Sequence, residues 1–482
     1  MKININLNNM AYRYDVYQMF NIYYLMDDIV FNKPENNEDK IYHISICDNS
    51  IDIKGPKINT EYYYDKIIGY NNFIKKSLFM YLKEETGQEH PWGTLIGIRP
   101  SKIAYDLMKK GFSENDVIEH FSKVYVASEE KARLCMEVAR NEATFINEDE
   151  NCISIYIGMP FCPTRCAYCS FASNPIGSSK KLVEPYLNAL IKEINAISDY
   201  IDKRGLRIET VYFGGGTPTS ISNEEFYSLM NIIHNRFIEG RNIREFTVEC
   251  GRPDSITIHK LRTMKEFNVD RISINPQTMN DETLRVIGRG HKAQLVKDIF
   301  KEARSLGFDN INMDIIVGLQ GEGLEEINYT CKEIKKLSPD SVTVHGLSIK
   351  RASKIHENIV LNKRYYVPEQ KELLEMYSTT KVLSEELEMI PYYMYRQKNM
   401  LGNMENIGYT IKGKECIYNI EMIEEKQTII ALGADAISKV VFLEENRIER
   451  FGNLKDVLQY TERIETLIEK KIELLDTLYN KL

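Results

Sequence analysis

The stretch Tyr156-Ile-Gly-Met-Pro-Phe-Cys-Pro-Thr-Arg-Cys-Ala-Tyr-Cys-Ser-Phe171 places three cysteines, Cys162, Cys166 and Cys169, in a CxxxCxxC spacing. Three thiolates so spaced on a short loop can hold three irons of a cubane iron–sulfur cluster. The fourth iron, lacking a protein ligand, stays open to chelate the amino and carboxylate groups of a small molecule. Two plainer readings stand beside this one. Structural zinc wants four ligands, commonly as paired CxxC units, and the chain has no second such pair. Chance clustering accounts poorly for a loop that follows an apolar, strand-like run, Ser154 to Met159, and precedes further ligand-type motifs.

Outward from that loop, short β-rich runs alternate with longer helical segments, the pattern of a parallel sheet built from βα units. The strands are expected at Ser154 to Met159, Ile208 to Phe213, Glu245 to Cys250, Arg271 to Pro276, Ile311 to Val317 and Ser341 to Leu347. Lys181 to Lys203, Asn223 to Arg236, Ser255 to Phe267, Glu282 to Leu306 and Glu325 to Leu337 carry apolar residues at helical spacing. These units predict an α/β fold, an open partial (β/α)6 TIM-like barrel over residues 151–350, with chemistry gathered at the C-terminal strand ends.

The flanks read differently. Residues 1–150 are expected to form an α+β domain of unknown role, with strands at Ile41 to Cys47 and Ser50 to Lys54 and a helix from Asp65 to Glu84. Further helices are expected around Ala104 to Lys110 and Ser128 to Ile146, and Pro91 to Lys102, which holds the only tryptophan, reads as a docking turn. Residues 351–482 are expected to be mostly helical and to cover a substrate pocket. A net charge of −8 argues against general nucleic-acid binding, which needs a basic footprint. The start of the chain lacks a signal-peptide core and no apolar run reaches membrane-span length, so a cytoplasmic protein is expected. Nine cysteines in 482 residues, six of them scattered, do not make a disulfide framework.

Each expected strand end carries a candidate ligand group. Phe213-Gly-Gly-Gly-Thr-Pro-Thr219 ends the second strand, and three glycines leave main-chain amides and carbonyls uncovered for a ligand, although a tight βα turn explains them equally. Glu249 ends the third strand, Gln277 the fourth, and Asp314 lies in the fifth; Arg289 offers a guanidinium able to pair with a carboxylate. Each alone reads as well as a solvated or capping residue. Their shared order along the strands favours a ligand site.

The CxxxCxxC loop, Gly214-Gly-Gly-Thr-Pro-Thr, Val248-Glu, Ile274-Asn-Pro-Gln and Asp314-Ile-Ile-Val-Gly-Leu together resemble the radical S-adenosylmethionine (SAM) superfamily. Over Ser154 to Ser438 the likeness is to its oxygen-independent coproporphyrinogen III oxidase family, and with the N-terminal extension to the HemZ type. The resemblance implies that Cys162, Cys166 and Cys169 hold a [4Fe-4S] cluster against which Tyr156 lies. It also implies that Gly215, Gly216, Thr217, Glu249 and Arg289 grip the amino-acid part of SAM, and that Gln277 and Asp314 bond its ribose. The implied activity is the anaerobic oxidative decarboxylation of coproporphyrinogen III to protoporphyrinogen IX in haem biosynthesis, fed by an electron donor such as flavodoxin or ferredoxin.

Two departures put the substrate in question. Phe171 stands where the oxidases carry a fourth cysteine, and Gly433-Ala-Asp-Ala-Ile-Ser438 has Ile437 where the family usually has histidine. A haem-binding trafficking protein that keeps the fold, or a radical SAM enzyme that modifies haem, are the rival readings. In Tyr392-Tyr-Met-Tyr-Arg-Gln-Lys-Asn399, the rings suit a flat tetrapyrrole and Arg396 and Lys398 suit its propionates. A partly buried strand explains the same alternation equally well. His291 and His345 are the nearest candidates for axial haem ligands, and each reads better as a structural hydrogen-bonding residue.

Overall fold

The computed structural model describes residues 2–25, 28–34, 36, 38–96, 99–171, 173–350, 353–361 and 368–480. Strands β1 (Ile3–Leu7), β2 (Ile29–Phe31), β3 (Lys40–Cys47), β4 (Ser50–Lys54) and β5 (Asn59–Tyr63) form one sheet in the order β2-β1-β3-β4-β5. In β3 the two-residue period buries Tyr42, Ile44 and Ile46 and turns His43 and Cys47 outward. Helices α1 (Arg13–Tyr23) and α2 (Tyr70–Thr86) cover the buried face, Phe20 from the first and Phe73 and Leu78 from the second. Helix α2 stops at Gly87, whose left-handed backbone suits glycine.

A second, larger core begins at Trp92, well before the boundary expected near residue 150. Helices α3 (Pro100–Lys109), α4 (Glu114–Tyr125) and α5 (Glu129–Glu142) put Ala104, Val117, Phe121 and Met136 into the same apolar cluster as the barrel strands. The Pro91 to Lys102 stretch is where they dock; its Gly97 and Ile98 lie outside the described residues. The Trp92 indole Nε1 donates to Glu405 Oε2 at 2.6 Å, and Lys131 Nζ reaches Glu405 Oε1 at 2.6 Å. At Gly93, φ is 55° and a β-carbon would fall 2.1 Å from the Tyr125 carbonyl oxygen, so only glycine fits.

From β6 (Cys152–Met159) the chain runs through the short pair β7 (Phe161–Cys162) and β8 (Asn174–Pro175), α6 (Ile176–Arg204), β9 (Arg207–Gly215), α7 (Asn223–Ile233), β10 (Glu245–Val248), α8 (Ile258–Glu266) and β11 (Arg271–Ser273). It continues through α9 (Asp281–Val286), α10 (Ala293–Ser305), β12 (Ile311–Val317), α11 (Leu324–Leu337) and β13 (Ser341–Gly346). The six strands β6, β9, β10, β11, β12 and β13 lie side by side, parallel and in chain order, as the βα pattern predicts. In β6, Ile153, Ile155 and Ile157 join the large apolar core, while Tyr156 turns to a separate cluster of tyrosines.

The remaining elements are α12 (Lys354–Val360), α13 (Gln370–Glu386), β14 (Ile390–Tyr395), β15 (Asn406–Thr410), α14 (Ile417–Glu424), β16 (Thr428–Leu432), β17 (Ile437–Phe442), β18 (Arg447–Gly452), α15 (Val457–Glu462) and α16 (Ile464–Tyr479). The C-terminal region therefore brings strands as well as the expected helices. β15 and β14 add antiparallel beyond β13, and β16, β17 and β18 add beyond β6, so the sheet stays open with eleven strands. The single helix expected from Glu282 to Leu306 is two, because the Gly288-Arg-Gly290 break falls between α9 and α10, with Gly288 at φ 78°. No described helix is long and apolar enough to cross a membrane.

A buried ion pair fastens the last helix to the barrel. Glu193 of α6 meets Lys471 of α16, the Tyr460 hydroxyl at 2.7 Å, Asn453 Nδ2 at 2.9 Å and the Gly433 amide at 2.8 Å. Removing one partner of such a pair strands a charge in the interior. Lys471→Met is expected to lower stability by about 3–5 kcal/mol, read as a lower denaturant midpoint; an unchanged midpoint contradicts this role.

Candidate functional site

The three cysteines hang from the end of β6. β7 pairs with β8 and closes the loop, and the Asn174 amide bonds the Pro160 carbonyl at 2.8 Å. Two further bonds clamp its middle: the Ala167 amide to the Ile287 carbonyl at 2.9 Å, and the Ile355 amide to the Ala167 carbonyl at 3.2 Å. Cys162 and Cys166 are buried and Cys169 is half-buried. Thr217 Oγ1 donates to Cys162 Sγ at 3.4 Å and Arg252 Nη1 to Cys166 Sγ at 3.3 Å. Burial pushes the Cys162 thiol up to about 11, and Cys169 and Cys166 add to the rise. Three thiols gathered on one loop, two of them already receiving hydrogen bonds, suit a shared cationic centre. Among the described residues no three Cys, His, Asp or Glu gather to hold a single metal ion. A cubane cluster, which ligates each thiolate at a different iron, does not require that they should.

The glycine run lies directly on this loop. Met159 faces Gly215 and Gly158 faces Gly214 in register. A β-carbon on Gly215 would sit 2.7 Å from the Met159 nitrogen, and one on Gly216 would sit 2.9 Å from Cys162 Sγ. The Gly216 amide bonds the Met159 carbonyl and the Thr217 amide bonds the Phe161 carbonyl at 2.8 Å. These two amides, expected to be uncovered, are committed to the cysteine loop, and the missing side chains serve the close approach of two strand ends.

A polar wall runs across β10 to β13. Asn275 Nδ2 donates to Glu249 Oε1 and to Asp314 Oδ2, each at 2.8 Å, and Asn275 Oδ1 accepts the Asp314 amide at 3.1 Å. Tyr212 and Ser273 hydroxyls complete Glu249, and Asn312 Nδ2 reaches Asp314 Oδ1 at 2.7 Å. His345 Nε2 stands 3.5 Å from Asp314 Oδ2, and its Nδ1 stands 3.4 Å from the Tyr395 hydroxyl. Glu249 is raised by burial and then by the charge of Asp314. Burial also pushes Asp314 up, but the hydrogen bond and charge of His345 outweigh it and leave Asp314 below the usual carboxylate range. Gln277 holds a left-handed backbone, φ 66°, with its amide on the Asp314 carbonyl at 2.9 Å. Its buried Oε1 has no hydrogen-bond partner, an acceptor that a ligand hydroxyl can satisfy.

Other expected residues have different neighbours. Tyr156 stacks on Tyr212 and Tyr418, ring centres 6.2 Å and 6.1 Å away, and flanks the cysteine loop from below through Gly158 and Gly214. Arg289 reaches the site because of the α9–α10 break, but its guanidinium bonds the Asn275 carbonyl and, at 3.3 Å, the Tyr168 hydroxyl. Arg252, which no motif singled out, is the cation that touches a cysteine. Asp254 fixes it at 2.8 Å and 2.7 Å.

Arg396 and Lys398, expected to read propionates, have other partners. Arg396 is buried, stacks 4.7 Å over Trp92, and gives its N–H groups to the carbonyls of Leu95, Asn403 and Met404 and to Asn403 Oδ1. Lys398 points to the N-terminal unit, its Nζ 2.6 Å from the Tyr14 hydroxyl. Both cations dock one part of the chain on another. His291 lies buried with Nδ1 3.7 Å from Asp254 Oδ1, and His345 is engaged as above.

Residues 156–334 match the family model of the Radical SAM superfamily. Over 405 residues, 83% of this chain and 80% of the relative, the sequence is 41% identical to the oxygen-independent coproporphyrinogen-III oxidase-like protein HemZ of Bacillus subtilis (strain 168). It is 36% identical over 226 residues to the heme chaperone HemW of the same organism, covering 46% of this chain and 58% of HemW. Coproporphyrinogen III oxidase (HemN) from Escherichia coli shares the fold at 20% identity, with a TM-score of 0.52 over 70% of this chain and 72% of that one. The chain belongs to the radical SAM superfamily and, within it, to the family of HemZ-like coproporphyrinogen III oxidase-like proteins. Its cofactors are accordingly a [4Fe-4S] cluster and SAM, and the thiols with their donors and the polar wall fit both.

His345 carries a pH dependence. Burial alone lowers an imidazole's pKa, but Asp314 and then Glu249 raise it above the usual 6.5. The pair therefore stabilises the fold fully below that value and loses its contribution as pH rises through the higher, folded pKa. The stability gap between wild type and His345→Gln is expected to be wide at about pH 5.5 and narrow at about pH 8.5 in denaturant melts; a gap that widens with pH contradicts the assignment.

Proposed function

We propose that this protein catalyses the anaerobic oxidative decarboxylation of coproporphyrinogen III to protoporphyrinogen IX. The observation that carries the reading is the hydrogen-bonded set Glu249, Asn275 and Asp314, tied through Arg289 to Tyr168 of the cysteine loop, with one buried acceptor, Gln277 Oε1, left for a ligand. With a [4Fe-4S] cluster and SAM bound, the chemistry supplied is reductive cleavage of SAM to a carbon radical able to take hydrogen from an unactivated C–H bond. The chain's own part is positional. Cys162, Cys166 and Cys169 hold the cluster, Asp314 and Gln277 bond a ribose diol, and Glu249 receives an ammonium. Two of the substrate's propionates react in turn: each loses a hydrogen atom to the radical, carbon dioxide departs, one electron passes to an acceptor, and a vinyl group remains. The likeness to HemZ over most of both chains supports this substrate class. Phe171 and the similarity to HemW favour a second reading, a haem-binding trafficking protein.

Two experiments test the proposal. Reconstituted protein incubated anaerobically with SAM, a low-potential reductant and coproporphyrinogen III should give a product lighter by two carbon dioxides and four hydrogens. Stoichiometric haem binding without this product, in a sample that cleaves SAM, supports the carrier instead. Asp314→Ala should weaken SAM binding by about ten- to a hundredfold, the worth of one buried charge-assisted hydrogen bond. It should leave the cluster's electron paramagnetic resonance signal in place; unchanged SAM affinity by calorimetry contradicts the ribose contact.

A further inference from the structure

With Arg396 and Lys398 committed to docking, Arg289 to Asn275 and Tyr168, and Arg252 to Asp254, the cations usually offered to an anionic substrate are engaged. Lys350 is different. It follows β13 at the same strand ends as the cysteine loop, and the chain just beyond it is tied to that loop by the Ile355–Ala167 hydrogen bond. Among the described residues no carboxylate forms an ion pair with it. Its Nζ stands 5.7 Å from the centre of the Phe171 ring.

Phe171 is as unusual as its neighbour. The ring is 67% exposed and stands two residues after Cys169. A large apolar ring left in water, two residues from a cluster thiol and topped by an ammonium, offers a flat contact and a positive charge side by side.

We propose that Lys350 and Phe171 form the anchoring subsite for a flat, carboxylate-bearing substrate, the ring packing on the macrocycle and the ammonium pairing with one side-chain carboxylate. The assignment rests on the tetrapyrrole reading above and supplies the carboxylate contact that Arg396 cannot. Pairing with Lys350 breaks no existing ion pair. A lysine ammonium also accepts a carboxylate from a wide range of directions, where an arginine fork demands coplanar approach. The same chemistry serves a porphyrinogen or haem, both of which carry propionates.

The test is a fluorescence titration of the anaerobically reconstituted full-length protein. Coproporphyrin III serves as the fluorescent, oxidised probe, its tetramethyl ester as the uncharged control, and haem is titrated in parallel by absorbance. Lys350→Gln should weaken coproporphyrin III binding by about tenfold and leave the ester unaffected, and Lys350→Arg should recover most of the loss. Phe171→Ala should weaken acid and ester alike. SAM affinity and the cluster's resonance signal, unchanged in all variants, show that they are folded. Equal affinity of wild type and Lys350→Gln for coproporphyrin III overturns the subsite alone. Failure of wild type to bind any tetrapyrrole overturns the subsite and the substrate reading together. Haem binding without coproporphyrin III binding, lost in Lys350→Gln, upholds the subsite and overturns the oxidase.

Discussion

Two strand ends meet here backbone to backbone, and the site depends on that contact. β6 and β9 run in register to Met159 and Gly215, with no room for a β-carbon on Gly215 or Gly216. The cysteine loop is thereby joined to the sheet by main-chain hydrogen bonds and Cys162 takes its place from the strands. Its other fixed points come from distant elements: Ile287 at the α9–α10 break and Ile355 after β13. A loop held from three directions positions its thiols before any cluster arrives, which is what a preorganised site requires. A single methyl group at Gly216 would press on both the Phe161 carbonyl and the Cys162 sulfur.

Within the polar wall, one asparagine sets the electrostatics. The Asn275 amide group donates to two carboxylates at once, and its oxygen accepts the Asp314 amide, so the side chain has a single workable orientation. Two acids joined in this way cannot behave alike. His345 lies on the Asp314 side and favours its ionised form, while Glu249, deprived of a cation at hydrogen-bond distance, is raised by burial and by its neighbour. The wall thus offers a firmly charged acceptor at one end and a more readily protonated one at the other.

The barrel was legible because its signal is local. All six parallel strands fall within a few residues of where apolar runs and flanking helical periodicity put them; the cysteine loop, the glycine run, Glu249 and Gln277 lie at or just past strand ends, and Asp314 lies within β12. Less legible were features that depend on distant partners. The break that carries Arg289 inward shows in sequence only as Gly288 and Gly290 inside an otherwise periodic helix, and Thr428 to Leu432 is too short to be told from a buried helix segment. Arg252 follows Glu249 by three residues, and nothing local reveals that its guanidinium turns back to Cys166. Arg396 was misread for a physical reason: rings alternating with cations look the same whether the partner is a macrocycle or, as here, the indole of Trp92 some 300 residues earlier in the chain.

The direction of access follows from where the interior is sealed. At the N-terminal end of the strands Glu245 takes the amides of Ile417 at 2.7 Å and Tyr418 at 3.4 Å, fixing the start of α14 across the barrel mouth. Tyr418 then stacks on Tyr212 with ring centres 4.5 Å apart, and Cys416 and Tyr392 beside it are fully buried. At the opposite end the side chains loosen: His345 is 26% exposed and Asp314 17%, Cys169 is half-buried, and Phe171 stands in solvent. The half-buried cysteine and the charged wall thus lie toward the exposed end, and the stacked tyrosines toward the sealed one. With Arg396 turned to Trp92 and Lys398 to Tyr14 of the N-terminal unit, the tetrapyrrole reading proposed above takes its charge contact from this rim.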